Sequence, residues 1–404
     1  MRKMNILKKS LLVVAAATFA FVSCQPDEMD VQVNNESRLY TQSDNGKIIE
    51  GQYIVVLEEN AFTDLKSTPS FADRKEMVRA EVASLIGVKS SNEEAIQRVY
   101  AKSLFGFSGK LTDEQLRSLS ENKKVKFIEE DRIIALGKPS WAGGGSDPQP
   151  TGQEVPWGID RVGYGDGTGK TAWILDSGID LDHEDLNVDE SRAFSAFTKG
   201  KDKSPDDGNG HGTHVAGTIA ALDNDLGVVG VAAGAFVVPV KVLDSRGSGS
   251  YSGVIEGIDY VAANGNNGDV ANMSLGGPVS DALDQAVINA AASGVIFCLA
   301  AGNESDNANN HSPARANHQN IFTISAMDSN DNFAYFSNYA NPPVDYCAPG
   351  VAIKSCWKDG GYNTIDGTSM ASPHAAGVLL LGAAHSDGTV NNDPDGDADP
   401  IIHR

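Results

Sequence analysis

Residues 367–374 read G-T-S-M-A-S-P-H, a serine among small residues followed by a proline and an apolar helical pattern. A serine hydroxyl attacks a carbonyl only when a base removes its proton and donors receive the oxyanion that forms. Ser369 stands where a loop turns into a helix, so N–H groups of the first turn can face developing negative charge. Three further residues carry the complementary chemistry: Asp176 after the apolar run 171–175, His211 opening a helical pattern, and Asn303 closing A-A-G-N. An imidazole can take the serine proton near neutral pH and return it to a leaving amine. A carboxylate behind it fixes the tautomer and stabilises imidazolium. A carboxamide can donate to the oxyanion, with the Ser369 N–H as second donor.

Each residue alone has a plainer reading. Ser369 could be a helix N-cap, and D-S-G at Asp176 a turn. His211 and His214 could be metal ligands, although the glutamate of H-E-x-x-H is missing between them. The four residues together favour a nucleophilic serine over all of these.

The elements that must position them follow from periodicity. Short apolar runs at 171–175, 236–242, 270–275, 295–300 and 321–326 suit buried parallel strands. Helical patterns at 214–221, 252–263 and 281–292 fall between them, which gives a doubly wound α/β fold with a mostly parallel sheet. Its sites gather at the carboxyl ends of strands, where Asp176 and Asn303 stand. Ahead of it, residues 52–57 read as a strand and 75–86 as a helix. Residues 98–107 read as another strand, a helix with a capping-box start opens at Thr112, and 125–134 returns as a strand. The module order expected is β-α-β-β-α-β, a small α+β domain. Residues 138–152 are rich in glycine and proline and read as an accessible linker.

The four segments resemble the subtilisin-like serine peptidases. Residues 172–180 read A-W-I-L-D-S-G-I-D, 209–217 N-G-H-G-T-H-V-A-G and 272–278 N-M-S-L-G-G-P; A-A-G-N and G-T-S-M-A-S-P-H follow in the family's order. The resemblance covers roughly residues 151–385, with proteinase K-like features in S-P-A at Ser312 and F-S-N-Y at Phe336. It implies an exported serine endopeptidase with Asp176, His211 and Ser369 as triad and Asn303 as oxyanion donor. Residues 47–137 resemble the inhibitory propeptide of these enzymes, which implies a self-processed zymogen with a catalytic domain over 153–404. By the same resemblance, an extended protein or peptide substrate lies between Gly247 and Gly249 on one side and Ser274, Leu275 and Gly276 on the other. Ala300, Ala301 and Gly302 would line a pocket for a large apolar side chain, with Glu304 near its rim. The resemblance also implies structural calcium. Its ligands would be the side chains of Gln153, Asp185 and Asn224 and the carbonyls of Leu222, Leu226 and Val228, an all-oxygen set suited to that cation. Asp345 aligns with a second calcium aspartate, although the segment 315–320 beside it is longer here. A competing reading from another class is a non-catalytic surface lipoprotein that uses this scaffold for binding.

Residues 1–150 hold 20 Lys/Arg against 21 Asp/Glu, whereas residues 151–404 hold 12 against 33. So acidic a second part excludes nucleic acid as partner, which needs a basic face. A basic start, an apolar run at 11–22 and Ser23-Cys24 read as an export signal over residues 1–23, followed by a polar tether over 24–46. Phe-Val-Ser-Cys resembles a bacterial lipobox, so Cys24 is the expected lipidation site and membrane contact is expected only through that lipid. The protein is read as a lipoprotein precursor at the outer membrane or cell surface, with a secreted, monomeric mature enzyme. Of the remaining cysteines, Cys347 and Cys356 are expected to form a disulfide, leaving Cys298 as an apolar filler. Only 35 residues follow Ser369. Their acidic run Asp393-x-Asp395-Gly396-Asp397-x-Asp399 reads as a calcium loop or as a disordered tail that replaces a terminal helix.

Overall fold

Residues 53–57 form an unbroken apolar run because both faces of that strand are covered. In β1 (Ile48–Leu57), Val55 and Leu57 join a small core with Val78, Val82 and Leu119, while Ile54 and Val56 belong to a second cluster with Tyr251, Val254 and Ile255. Successive side chains of a strand point to opposite sides, so one strand serves two cores. The computed structural model describes residues 42–61, 70–137, 147–148 and 150–404. The expected signal, Cys24, most of the expected tether and residues 138–146 and 149 of the expected linker lie outside the described residues.

The first core is closed by α1 (Phe71–Leu85) and α2 (Asp113–Ser120), set on an antiparallel sheet with β2 (Arg98–Ala101), β3 (Phe105–Lys110) and β4 (Val125–Ala135) in the order β4-β1-β3-β2. The capping box at Thr112 is present, with Gln115 as its reciprocal partner. The run 98–107, read as one strand, is two strands of a hairpin. The Asp259 carboxylate accepts the N–H groups of Ala101, Lys102 and Ser103 and the Ser103 hydroxyl, and so holds the turn between them. That partner lies more than 150 residues away, beyond the reach of local periodicity.

The larger sheet runs through β5 (Thr171–Asp176), β6 (Phe236–Lys241), β8 (Val270–Met273), β9 (Ile296–Ala300), β10 (Ile321–Met327) and β11 (Val344–Pro349), all paired in parallel in the order β6-β5-β8-β9-β10-β11. One face carries α3 (His211–Ala220) and α6 (Thr368–Leu381); the other carries α4 (Tyr251–Asn264) and α5 (Asp281–Ala291). Between β6 and α4, β7 (Ser248–Ser250) leaves this sheet and pairs with β4 instead. Glu129 of β4 accepts from the Ser280 hydroxyl and the Ala282 N–H, and Asp131 accepts from the Ser252 N–H and hydroxyl. Each carboxylate thus meets the N-terminus of a helix of the larger domain, where the helix dipole favours negative charge.

Two expectations are corrected. The acidic tail is structured: β13 (His385–Thr389) and β14 (Pro400–His403) form a hairpin, and β14 pairs in parallel with β11 through Cys347 and Ile401. Ile401 and Ile402 are buried there, so an apolar pair behind the aspartates covers the sheet edge. The cysteine pairing is also wrong. All three described cysteines are free and buried, Cys347 among Met327, Val390 and Ile401 and Cys356 in the core under α3, on β12 (Ile353–Trp357). Both pack as small apolar groups.

Candidate active site

Asp176 is the last residue of β5 and fully buried. Its carboxylate accepts the Nδ1–H of His211, with Nδ1 2.9 and 3.0 Å from the two oxygens. His211 is the first residue of α3, preceded by Gly210 at φ +111°, where a Cβ would also come within 2.4 Å of the Trp357 ring. Only glycine fits that approach. With no side chain at the cap, the helix start is satisfied by Asp207, which accepts from the N–H groups of Asn209, Gly210 and Thr213 and from the hydroxyls of Thr213 and Ser177. Burial pushes the His211 pKa down, but the charge and hydrogen bond of Asp176 and the charge of Asp207 outweigh it and hold it above the ordinary value. Beneath them, the fully buried Lys241 ammonium donates to the carbonyls of Ser177 and Asp206. Burial lowers its pKa against the charge of Asp207. Sequence reasoning missed both Asp207 and Lys241. An acidic residue four positions before His211 was the available signal for the first.

His214 does not share a site with His211. Its Nε2 faces the Ile353 carbonyl at 2.9 Å, and burial drives its pKa down to about 3. Among the described residues, no group of three or more His, Cys, Asp or Glu is placed to hold a metal ion.

Ser369 is the second residue of α6, where backbone N–H groups have no partner within the helix. Pro373 lies four residues further on and has no N–H, so the Ser369 carbonyl loses its helical donor and accepts the Ser274 hydroxyl instead, at 2.7 Å. The Ser369 hydroxyl donates to the Ser274 carbonyl at 3.1 Å, and no hydrogen bond joins it to His211. Two reciprocal bonds therefore lock the serine to the segment after β8. Asn303 follows β9, and its Oδ1 accepts the Thr368 N–H and hydroxyl at 2.8 and 3.0 Å. With Oδ1 engaged, only the Nδ2 group is left to donate outward.

The strand end of β4 lies against these elements. Its residues Ile133, Ile134 and Ala135 pair antiparallel with Ser250, Gly249 and Ser248, and the Leu136 N–H donates to the Gly247 carbonyl at 2.9 Å. A Cβ on Gly247 would touch both Leu136 and the Asn209 side chain, so the strand ends beside the loop that opens the His211 helix. Glu304 accepts from Asn338 at 2.7 Å and stays half exposed.

The residues expected at calcium gather in one loop cluster. Asn224 and the Val228 N–H both donate to Asp185, and Gln153 donates to Asp223, with its Nε2 3.5 Å from the Leu222 carbonyl. Leu226 donates its N–H to the Asn224 side-chain oxygen at 2.6 Å. Asp345 instead accepts the Thr323 N–H, and burial pushes it up to about 6. The loop 393–399 binds itself, Asp393 accepting the N–H groups of Asp395 and Asp399.

A doubly wound sheet with an inhibitor-type module laid across its cleft is the architecture of the subtilisin-type serine peptidases. Residues 167–391 match the subtilase family model and residues 52–136 the peptidase inhibitor I9 model; the chain belongs to the subtilase family. Alkaline serine exoprotease A of Vibrio alginolyticus is 41% identical over 345 residues, which cover 82% of this chain and 60% of that protein's length. Subtilisin E of Bacillus subtilis is 40% identical over 281 residues, covering 67% of this chain and 68% of its own. A solved cold adapted subtilisin-like serine proteinase superposes with a TM-score of 0.54 at 38% identity, covering 61% of this chain and 97% of that one.

Proposed function

We propose that this chain is an exported serine endopeptidase made as a zymogen, and that it cuts itself free of the module at residues 47–137. The observation that carries the reading is the β4 strand end lying along Gly247 to Ser250 and stopping beside the His211 loop. An extended backbone in that cleft presents a peptide carbonyl to the serine as a substrate would.

In the reaction, the Ser369 hydroxyl leaves the Ser274 carbonyl and passes its proton to His211 Nε2 as Oγ bonds to the scissile carbon. The Asn303 Nδ2–H and the Ser369 N–H receive the oxyanion. Asp176 stabilises the imidazolium, which then protonates the departing amine. Water, with its proton taken by the same imidazole, releases the acyl group.

Leu136 is the last residue paired with the Gly247 edge and Gly137 the one after it, so the cut is placed behind Gly137, at the Gly137–Lys138 bond. N-terminal sequencing of the first product in a time course is expected to read Lys-Pro-Ser-Trp. A first product that begins at any other residue would contradict this assignment. Cys24 is the proposed lipid attachment site, so the same cut separates enzyme from anchor.

The loop cluster around Asp185 supports a structural calcium site. One carboxylate, two carboxamides and the carbonyls of Leu222, Leu226 and Val228 are hard oxygen donors. The amide N–H groups of Asn224 and Gln153 now point at the oxygens a cation would draw. Once bound, the ion would supply the positive charge those donors replace and would tie the residue 153 segment to the loop after α3. Calcium at 100 times its Kd is expected to raise stability by about 2.7 kcal/mol. Asp185→Asn should abolish the calcium-dependent rise in thermal midpoint. An equal rise in the variant would rule the site out.

A further inference from the structure

The turn after Gln42–Asp44 precedes the module matched by the inhibitor family, yet Asn45 and Gly46 reach the cleft. The strand at Ile133–Ala135 uses alternate residues on alternate sides. Ile134 faces β7, while Ile133 and Ala135 turn the other way. On that outer side, the Gly46 N–H donates to the Ile133 carbonyl at 2.8 Å and the Ile133 N–H to the Lys47 carbonyl at 2.9 Å. Ala135 comes next. Its N–H donates to the Asn45 side-chain carbonyl at 3.0 Å, and the Asn45 Nδ2 donates to the Gly276 carbonyl at 3.2 Å.

A carboxamide carries one donor face and one acceptor face, like a peptide group. Asn45 is inserted between Ala135 and Gly276, bonded to both. The strand therefore has direct backbone pairing to the enzyme on one edge, Gly247 to Ser250, and reaches the Gly276 edge only through a side chain. Adjacent strands lie about 4.8 Å apart when bonded directly. A carboxamide set between them holds the two backbones further apart than that. The turn is shaped for the position: Gly46 has φ +79°, and a Cβ there would lie 2.4 Å from the Pro278 ring. Arg132 donates to the Gly46 carbonyl at 2.9 Å and ties the turn to the strand it covers.

We propose that Asn45 is an autoinhibitory wedge, upstream of the inhibitor module proper, that keeps Ala135 off the Gly276 edge and so holds the strand in a one-sided, slowly cleaved pose. Without it, the Ala135 N–H can bond the Gly276 carbonyl directly, which closes the strand into a two-sided fit over the serine. The proposal rests on the peptidase reading above.

The test uses the full chain. The first-order rate of conversion to the form beginning at Lys138 is measured for wild type, Asn45→Ala, Asn45→Asp and Ser369→Ala. Asn45→Ala is expected to convert roughly five-fold faster, the factor one net hydrogen bond is worth, with kcat/KM of the matured enzyme on a peptide unchanged. Asn45→Asp keeps the acceptor for Ala135 but sets a carboxylate against the Gly276 carbonyl, and should also convert faster. An unchanged or slower rate in both variants overturns the wedge. Conversion of Ser369→Ala at the wild-type rate would instead overturn the peptidase reading, whatever Asn45 does. Should Asn45→Ala misfold, amide exchange at Ala135 decides the same point, compared between the uncut Ser369→Ala chain and the same chain carrying Asn45→Asp as well. A changed protection of that amide is expected, and unaltered protection overturns the wedge.

Discussion

Ser369→Ala is expected to leave the chain uncut and to lower kcat on any peptide by about six orders of magnitude. The substitution removes the one group that forms a bond to substrate. The oxyanion donors survive, because the Asn303 contact with Thr368 and the N–H groups of the α6 start involve no Ser369 side-chain atom. Some residual rate over water should therefore persist. Labelling by a fluorophosphonate probe separates an enzyme from a binding scaffold: a matured wild type is expected to label and Ser369→Ala to stay unlabelled. Equal labelling of both would show that another serine reacts. A wild type that never labels would favour the non-catalytic reading.

Asp176→Asn is expected to cost about 10⁴-fold in kcat with little change in KM. An asparagine keeps the shape of the buried site but offers the His211 Nδ1 either a carbonyl or an N–H donor. The imidazole then loses both its enforced tautomer and the charge that steadies its protonated form. The pH profile should move with it. The carboxylate raises the pKa of His211, so the variant's acid limb falls at lower pH than that of the wild type. An acid limb that stays in place while kcat collapses would mean that Asp176 acts on something other than the histidine. Both experiments need a chain that folds, which circular dichroism of the uncut zymogen can check.

How much of this was legible in the sequence follows from where each partner lies. Asp176, His211, Asn303 and Ser369 each sit at or within three residues of the end of an element whose apolar period is local, so their setting could be read from a dozen residues at a time. The β5, β6, β9 and β10 runs were read within a residue or two of their bounds for the same reason. What escaped depends on distant contacts. The hairpin at 101–105 is bent by Asp259, the cap of the His211 helix is Asp207 and not the residue before it, and Lys241 is buried because carbonyls of two other segments receive it. Cys347 and Cys356 belong to different core clusters, a separation that their nine-residue spacing could not reveal. The strands after Ser369 were hidden by the aspartates that connect them, since composition there outweighs two buried isoleucines.

If the module is released as proposed, the twofold burial of β1 gives that maturation a direction. Ile54, Val56, Tyr100 and Leu104 are dry only while α4 and α5 cover them. A departing pro-region would carry that greasy side into water with nothing to shield it, an invitation to degradation by the enzyme it has just released. Activation built this way would be a ratchet, because the brake would be consumed in being let go.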